Sequence, residues 1–358
     1  MHQTLILGAG LSGLTAAYEL KKKGVPFLVL EARSRAGGRI HTVAGSGLGV
    51  PMEMGATWFG DKHVHLLELI DELGIGYFDQ YGKGIALMET MSFAPPQKFE
   101  VPPNDEPYHR VRGGTRALIA TLVREVGQEN IQLNTAIREV RLEADALVLT
   151  DQNGIAYRCQ SAISTLPPRL LFKTVNFQPA LPEQLLHIMA QTHTWMGESV
   201  KFGLEYARPF WREKGFSGTI FSQSGPATEV YDHSNVEGTA FALKGFLAGE
   251  VAVFRQEERL ALLTRQISRL LGPEAADFVS YSECIWPQEP FTHTPYDGYI
   301  LPHQNNGHPI FAKPVLDGRF YFAGAETSPE FGGYMDGAVF SGRLVADNIA
   351  RPTTGEGL

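Results

Sequence analysis

Three glycines open the chemistry of this chain. In Leu5 to Leu20, "LILGAGLSGLTAAYEL", Gly8, Gly10 and Gly13 stand at G-x-G-x-x-G spacing. Gly8 permits a tight turn, Gly10 lets a pyrophosphate approach the backbone, and Gly13 lets a helix pack close to the preceding strand. The N–H groups at the start of that helix, from Leu11 and Ser12 onward, then point at the phosphates. About 20 residues further on, Glu31 is placed to hydrogen-bond a ribose hydroxyl, and its charge would repel a 2′-phosphate. So far NAD and FAD fit equally. The residues after the acid, "ARSRAGGR", add Ala32, Arg33, the pair Gly37–Gly38 and Arg39. Guanidinium groups and bare backbone beside a pyrophosphate form a second phosphate clamp, which an NAD-binding unit does not need.

The elements that must hold these residues can be read around them. Thr4 to Leu7 is a short apolar strand, and a helix begins at Leu11. It ends in Lys21, Lys22 and Lys23, cations suited to a helix C-terminus, with Gly24 as its cap. A second strand, Pro26 to Leu30, leads directly to Glu31. From Asp61 to Ile75 the spacing of Val64, Leu67 and Ile70–Leu73 predicts an amphipathic helix. Residues 76–110, with "APPQ" and "VPPNDEP", leave this pattern. The chain returns at Gly113–Gly114, with a helix from Thr115 and then three strands, "NIQLNTAIREVRLE", "ALVLTDQNGIAYRCQ" and "SAISTLPP", with Asn153–Gly154 as a hairpin turn. Residues from about 169 to 285 are rich in aromatics and alternating strands. Near the end, "GRFYFAGAETSPEFGGYMDGAVFSGRLVADNIA" reads as strand, glycine-rich loop and a helix from Gly333–Tyr334 that buries Ala338.

Composition narrows the partners. The 358 residues carry a net charge of -8, which argues against a nucleic-acid partner, since that needs a clustered basic surface. Cys159 and Cys284 stand far apart and read as reduced thiols, and His63 and His65, two residues apart, cannot share a helical face, so no metal site is expected. No apolar run approaches the ~18–20 residues of a membrane span, and no secretory signal precedes the first strand. The expectation is a cytoplasmic protein with no integral membrane segment, with homodimerisation left open.

"GAGLSGLTAAYEL" followed by "LEARSRAGGRIHT" resembles the flavin-containing amine oxidase superfamily of monoamine, polyamine and L-amino-acid oxidases. The resemblance runs nearly the full length, and the chain is shorter than typical members. It implies an α/β fold: a discontinuous Rossmann-like FAD-binding domain (1–60, 111–168 and 286–350) and an α+β substrate domain with a mixed sheet (61–110 and 169–285), followed by a polar tail (351–358). In such proteins the loop matching Gly55, Ala56, Thr57 and Trp58 lies beside the flavin ring, and the residue at Ile137 contacts adenine through its backbone. "MGESVKFGLEYARPFW" matches the segment whose lysine, here Lys201, holds a water near flavin N5. Trp286 matches a flavin-packing tryptophan, with Tyr296 as the following cage aromatic and Tyr299 competing for that role. Gly324, Glu326 and Gly333 match the FAD-contacting loop, Met335 the pyrimidine edge, and Tyr334 the second wall of the cage. The dipole of the last helix would stabilise the negative charge of reduced flavin. Members with covalent FAD carry a cysteine where this chain has Pro295, so FAD is expected to be non-covalent. The implied reaction is hydride transfer from an amine to flavin N5, giving an imine, with O2 reduced to H2O2. Three alternatives stay open: an L-amino-acid oxidase using Arg112, Arg208 or Arg212 for the carboxylate; a desaturase or porphyrinogen-type oxidase; and a non-catalytic flavin-binding module.

Overall fold

The computed structural model describes residues 2–45, 48–100 and 106–351, so the expected polar tail lies, apart from Arg351, outside the described residues. The apolar run at the start forms strand β1 (His2–Leu7), and β2 (Phe27–Leu30) lies parallel to it with Ile6 opposite Val29. Helix α1 (Leu11–Lys22) connects them and stops where Gly24 takes a left-handed φ of 69°. On the other side of β1 runs β3 (Ala156–Ser164), also parallel, with Ile6 opposite Ile163.

The turn before β3 carries an extra device. Asp151 Oδ1 accepts the backbone N–H groups of Asn153 and Ile155 at 2.8 and 2.9 Å, so an aspartate as well as the Asn-Gly pair sets the hairpin. The completed sheet has eight strands in the order Ile131–Gln132, β2, β1, β3, Ala146–Asp151, Ile137–Glu143 and Asn176–Gln178, with Phe320–Phe322 added parallel to β3.

Helices α2 (Val64–Glu72), α3 (Arg116–Val126) and α4 (Met335–Ala350) cover one face of this sheet with α1. Leu14, Leu66, Leu118 and Val339 meet in a single core there. A Cβ on Gly342 would stand 2.5 Å from Ser12 O, so α4 and α1 touch at their backbones. Placing 61–110 with the substrate domain therefore needs correcting for α2. Its apolar face, Leu66, Leu69 and Ile70, is buried against α1 and α4, because a half-apolar helix packs on whichever apolar face lies nearest. Asn176–Gln178, beyond 168, likewise joins the first sheet.

The second sheet is built around β4 (Val200–Tyr206), β5 (Ala227–Asp232), β6 (Phe241–Leu247) and β7 (Ser280–Ile285). Its order is β7, β4, β6, β5, Phe216–Ser222, Ile85–Glu89, Gln97–Glu100, and only the pair Phe216–Ser222 with Ile85–Glu89 is parallel. All seven residues of β4 are buried. Val200, Phe202 and Leu204 pack in the core formed with Leu263 and Ile267 of helix Gln256–Leu271. The alternation of a strand then sends Lys201 and Gly203 to the opposite face, toward the first domain. Among the described residues, no helix is long and apolar enough to cross a membrane.

Candidate active site

Between the two sheets lies a cavity of about 630 Å³. Its first half is made by the opening motif. Gly8 has φ 103°, and a Cβ there would stand 2.7 Å from Thr165 Oγ1; a Cβ on Gly13 would stand 2.0 Å from Gly8 O. Gly13 therefore does not line the cavity but sets how closely α1 meets the β1 turn. Gly38, with φ 56°, brings its backbone so near Gly10 that a Cβ would stand 3.2 Å from Gly10 Cα. The two glycine clamps are thus packed against each other at one helix end.

No side chain caps α1 at Gly10, so the first helical N–H groups are left for an acceptor in the cavity. Glu31 is buried, its Oε2 accepting Ala9 N–H at 2.7 Å and its Oε1 accepting Arg33 N–H at 2.8 Å. These bonds fix the carboxylate at the cavity wall, where Ala32, Arg33 and Ile137 also lie. The Arg33 guanidinium is itself held by Glu289, by Thr292 Oγ1 at 2.8 Å and by Phe291 O at 3.3 Å. Phosphate-binding helix end, buried acid, guanidinium groups and a backbone cradle that a Cβ would fill together match an adenine dinucleotide with an unphosphorylated ribose.

The second half of the cavity is aromatic. Gly55, Ala56, Thr57 and Trp58 run along one side, and Trp286 is fixed by its Nε1–H, which donates to Met54 O at 2.8 Å. Lys201 Nζ donates to Gly55 O at 2.6 Å and lies 4.8 Å from the Phe246 ring centroid. Burial pulls the Lys201 pKa down to about 8, against the favourable field of Glu53. From the other side come Gly324, Gly333, Tyr334, Met335 and Ala338, where α4 begins without a side-chain cap. Tyr334 is backed by His303, whose ring stacks on it at 5.4 Å and on Trp195 at 3.8 Å.

Leu11, Ser12, Gly37 and Arg39 also line this cavity, so nearly all the residues expected at the site meet there. Four do not. Besides Gly13, Glu326 is buried outside the wall and acts through Arg39, which it grips at 2.5 and 2.7 Å while Arg39 also donates to Trp195 O. Tyr296 is no cage wall. Its hydroxyl accepts Thr194 N–H at 3.1 Å, and its ring is sandwiched between His193 and the buried Arg169 guanidinium. Tyr299 is 87% exposed. The loop after Trp286 is pinned by the Arg169–Pro295 carbonyl bond, which turns both rings away from the cavity.

The structure adds Trp195, Tyr231, Phe246 and Glu229 to the wall. Tyr231 stands edge-on to Trp58 at 5.0 Å and donates to Glu229 Oε2 at 2.7 Å. The alternation Glu229-x-Tyr231 was the available signal, but it acquires a side only once the strands are registered.

Comparison with known proteins agrees with this geometry. The family model described as flavin containing amine oxidoreductase matches residues 11–84 and 76–350. A probable flavin-containing monoamine oxidase A of Dictyostelium discoideum is 25% identical, with 98% of this chain and 97% of that protein covered. Putrescine oxidase of Kocuria rosea is 26% identical, with 97% and 95% covered. These alignments run over 454 and 464 residues, against 358 here, so the relatives carry stretches that this chain lacks. Among solved structures, wild-type putrescine oxidase bound to putrescine has a TM-score of 0.84 at 23% identity, covering 98% of this chain and 99% of that one. Cyclohexylamine oxidase from Brevibacterium oxydans also has a TM-score of 0.84, at 21% identity and 98% coverage of both chains. The chain belongs to the flavin-containing amine oxidoreductase family, with FAD as its cofactor and amine oxidation as its activity.

Proposed function

We propose that this chain oxidises small amines without a carboxylate, taken in as the neutral base, with O2 as the terminal acceptor. The carrying observation is one continuous cavity that joins the dinucleotide cradle to a chamber walled by Trp58, Tyr231, Phe246 and Tyr334. FAD supplies a two-electron acceptor when bound there. The protein's own contribution is position, dryness and charge. The turn at Gly8 and Gly10, the α1 N-terminus, Glu31 and Arg39 anchor the dinucleotide. Apolar walls disfavour a bare ammonium, and the nearby Lys201 ammonium repels one, so the substrate loses its proton on entry. Tyr334, braced by His303 and Trp195, orients the nitrogen. Loss of hydride from the α-carbon of the neutral amine leaves the protonated imine, which water converts to a carbonyl compound and an ammonium ion, or the ammonium of a smaller amine. Lys201, anchored on Gly55 O, presents a positive charge to the reduction of O2.

An amino-acid substrate is disfavoured by a specific observation. The three arginines considered for its carboxylate do not line the cavity: Arg208 pairs with Glu213, Arg212 with the buried Asp232, and Arg112 with Glu237 at 3.6 Å. The test is a panel of amines and amino acids read out by peroxide. Peroxide from amines alone is expected. A flavin-loaded protein that yields peroxide only with amino acids, or with neither class, would overturn the proposal.

A further inference from the structure

On the face of the second sheet turned toward the first domain, two rows of side chains stand near the cavity, and a third, Ala242, Glu205 and Ser280, follows them. Register places Glu229, Phe246, Lys201 and Cys284 in one row, and Tyr231, Lys244, Gly203 and Ser282 in the next. Residues directly opposite one another share a face, so Lys244 and Lys201 stand diagonally on the same side. Lys244 is fully buried and has no role in the mechanism above. Its Nζ donates to Thr57 Oγ1 and lies 4.4 Å from the Trp58 ring centroid. The Thr57 hydroxyl donates in turn to Gly55 O at 3.1 Å, the same carbonyl that holds Lys201. Both lysines are therefore tied to the Gly55–Trp58 wall.

What surrounds Lys244 leaves it short of negative charge. Lys201 faces it from β4, Arg110 from strand Tyr108–Val111, and Tyr231 and His233 from β5 and just beyond. The one carboxylate acting strongly on it is Glu53, whose oxygens are taken by Thr115 N–H at 2.5 Å and Thr42 Oγ1–H at 2.8 Å. Glu229 and Cys284 lie in the neighbouring row on one side, flanking Phe246 and Lys201, and the buried Glu205, which accepts from Val50 N–H and Ser280 Oγ–H, lies in the row on the other. Burial, with the fields of Lys201 and Arg110, holds Lys244 well below the usual lysine range and so favours its uncharged amine. Lys244, Lys201 and Arg110 all lie in the field of Glu53, while Glu229 also acts on Lys201 and Asp232 on Arg110. A buried cluster of that kind favours the arrival of an anion.

We propose that Lys244 is the proton store of this site: it takes one proton from solvent when the cofactor is reduced to its anionic form, and gives it back, through Thr57, when O2 becomes H2O2. The balance closes. Hydride transfer brings two electrons and one hydrogen, so the reduced cofactor gains one negative charge, which the new Lys244 ammonium offsets. Peroxide formation then uses those two electrons, the transferred hydrogen as one proton and the Lys244 proton as the other. The inference rests on the Gly55–Trp58 segment facing the redox-active ring.

The experiment is a spectroelectrochemical titration of the FAD-loaded protein between about pH 6 and 9. A two-electron couple that takes up one proton falls about 30 mV per pH unit, and a second proton doubles that slope. The wild type is expected to show the doubled slope with an anionic reduced-flavin spectrum. Lys244→Met, with Lys244→Gln as a second variant, should show the single slope, and Lys201→Met should keep the doubled one. The inference is overturned by a single slope in the wild type, by a doubled slope in both Lys244 variants, by loss of the extra proton in Lys201→Met instead, or by a neutral reduced flavin carrying the second proton itself. If neither Lys244 variant retains FAD, the wild-type slope and spectrum still decide. No amine is needed, so a doubled slope in a protein inert toward amines would refute the proposed substrate and leave the proton store standing.

Discussion

Arg39 and Glu326, 287 positions apart in the chain, form a two-point ion pair at 2.5 and 2.7 Å that joins the first glycine-rich segment to the last. Glu326 is 1% exposed and does not itself line the cavity; Arg39, which it grips, does. Planar two-point pairing fixes the direction of the guanidinium as well as its charge. Glu326→Ala is therefore expected to weaken FAD retention by tenfold or more, since a hydrogen bond to a charged group contributes about 1.5–3 kcal/mol. Equilibrium dialysis against FAD measures this, and unchanged affinity would show that Arg39 needs no such support.

Lys201 supplies a pH signature. Its pKa lies near 8, so the ammonium is present below that pH and is lost as pH rises through it. Reoxidation of reduced flavin by O2 should slow across the same interval. Lys201→Met should be slower by about 10²-fold, the scale of one preorganised charge donor, and should lose the pH step. Stopped-flow reoxidation checks both, and a step surviving in the variant would assign it to another group.

Tyr296 and Tyr334 should separate cleanly. Tyr296→Phe removes a hydroxyl that accepts Thr194 N–H, a cost of about 1 kcal/mol in stability. Its kcat/KM should stay within twofold of wild type. Tyr334→Ala, at the cavity wall, should lower kcat/KM by at least tenfold with little change in Tm. Reversal of the two patterns would return Tyr296 to the cage.

Gly13→Ala probes the turn. A Cβ would stand 2.0 Å from Gly8 O, a backbone atom that cannot swing aside. Overpacking of this kind costs about 1–3 kcal/mol, and here it also spreads the phosphate cradle. Lower Tm together with loss of bound flavin is expected in the purified protein, while normal FAD content would mean that α1 can slide without harm.

Neither cysteine lines the cavity: Cys159 is in the core of the first sheet and Cys284 lies on β7 beside Lys201. Acid precipitation is expected to leave the yellow colour in the supernatant. Colour retained in the pellet would demonstrate a covalent link.

The two halves of the site differ in how far they can be read from residues alone. The dinucleotide half is local. Gly8, Gly10, Gly13 and Glu31 lie within one strand–helix–strand unit, where spacing dictates geometry. The chamber is assembled across strands, and its side chains share a face only through register: Phe246 stands opposite Lys201 on one side and Glu229 on the other. Spacing within a single segment carries no such information. Tyr296 shows the converse. Its distance from Trp286 resembles that of a cage residue, yet the long-range grip of Arg169 on Pro295 O decides where the ring goes. The placement of α2 failed for a related reason, because an apolar helical face does not name its partner.

The first sheet is completed by Phe320–Phe322, and the cavity by α4, which starts at Met335. During synthesis, the opening glycines leave the ribosome about 300 residues before their closing partners exist. At ~5–20 residues per second this is a wait of roughly 15–60 s. Throughout it, the α1 surface that later meets Gly342 stays bare, and no truncated chain ending before α4 can enclose the flavin. The dinucleotide cradle, made first, therefore waits on α4 before the cavity is closed over it.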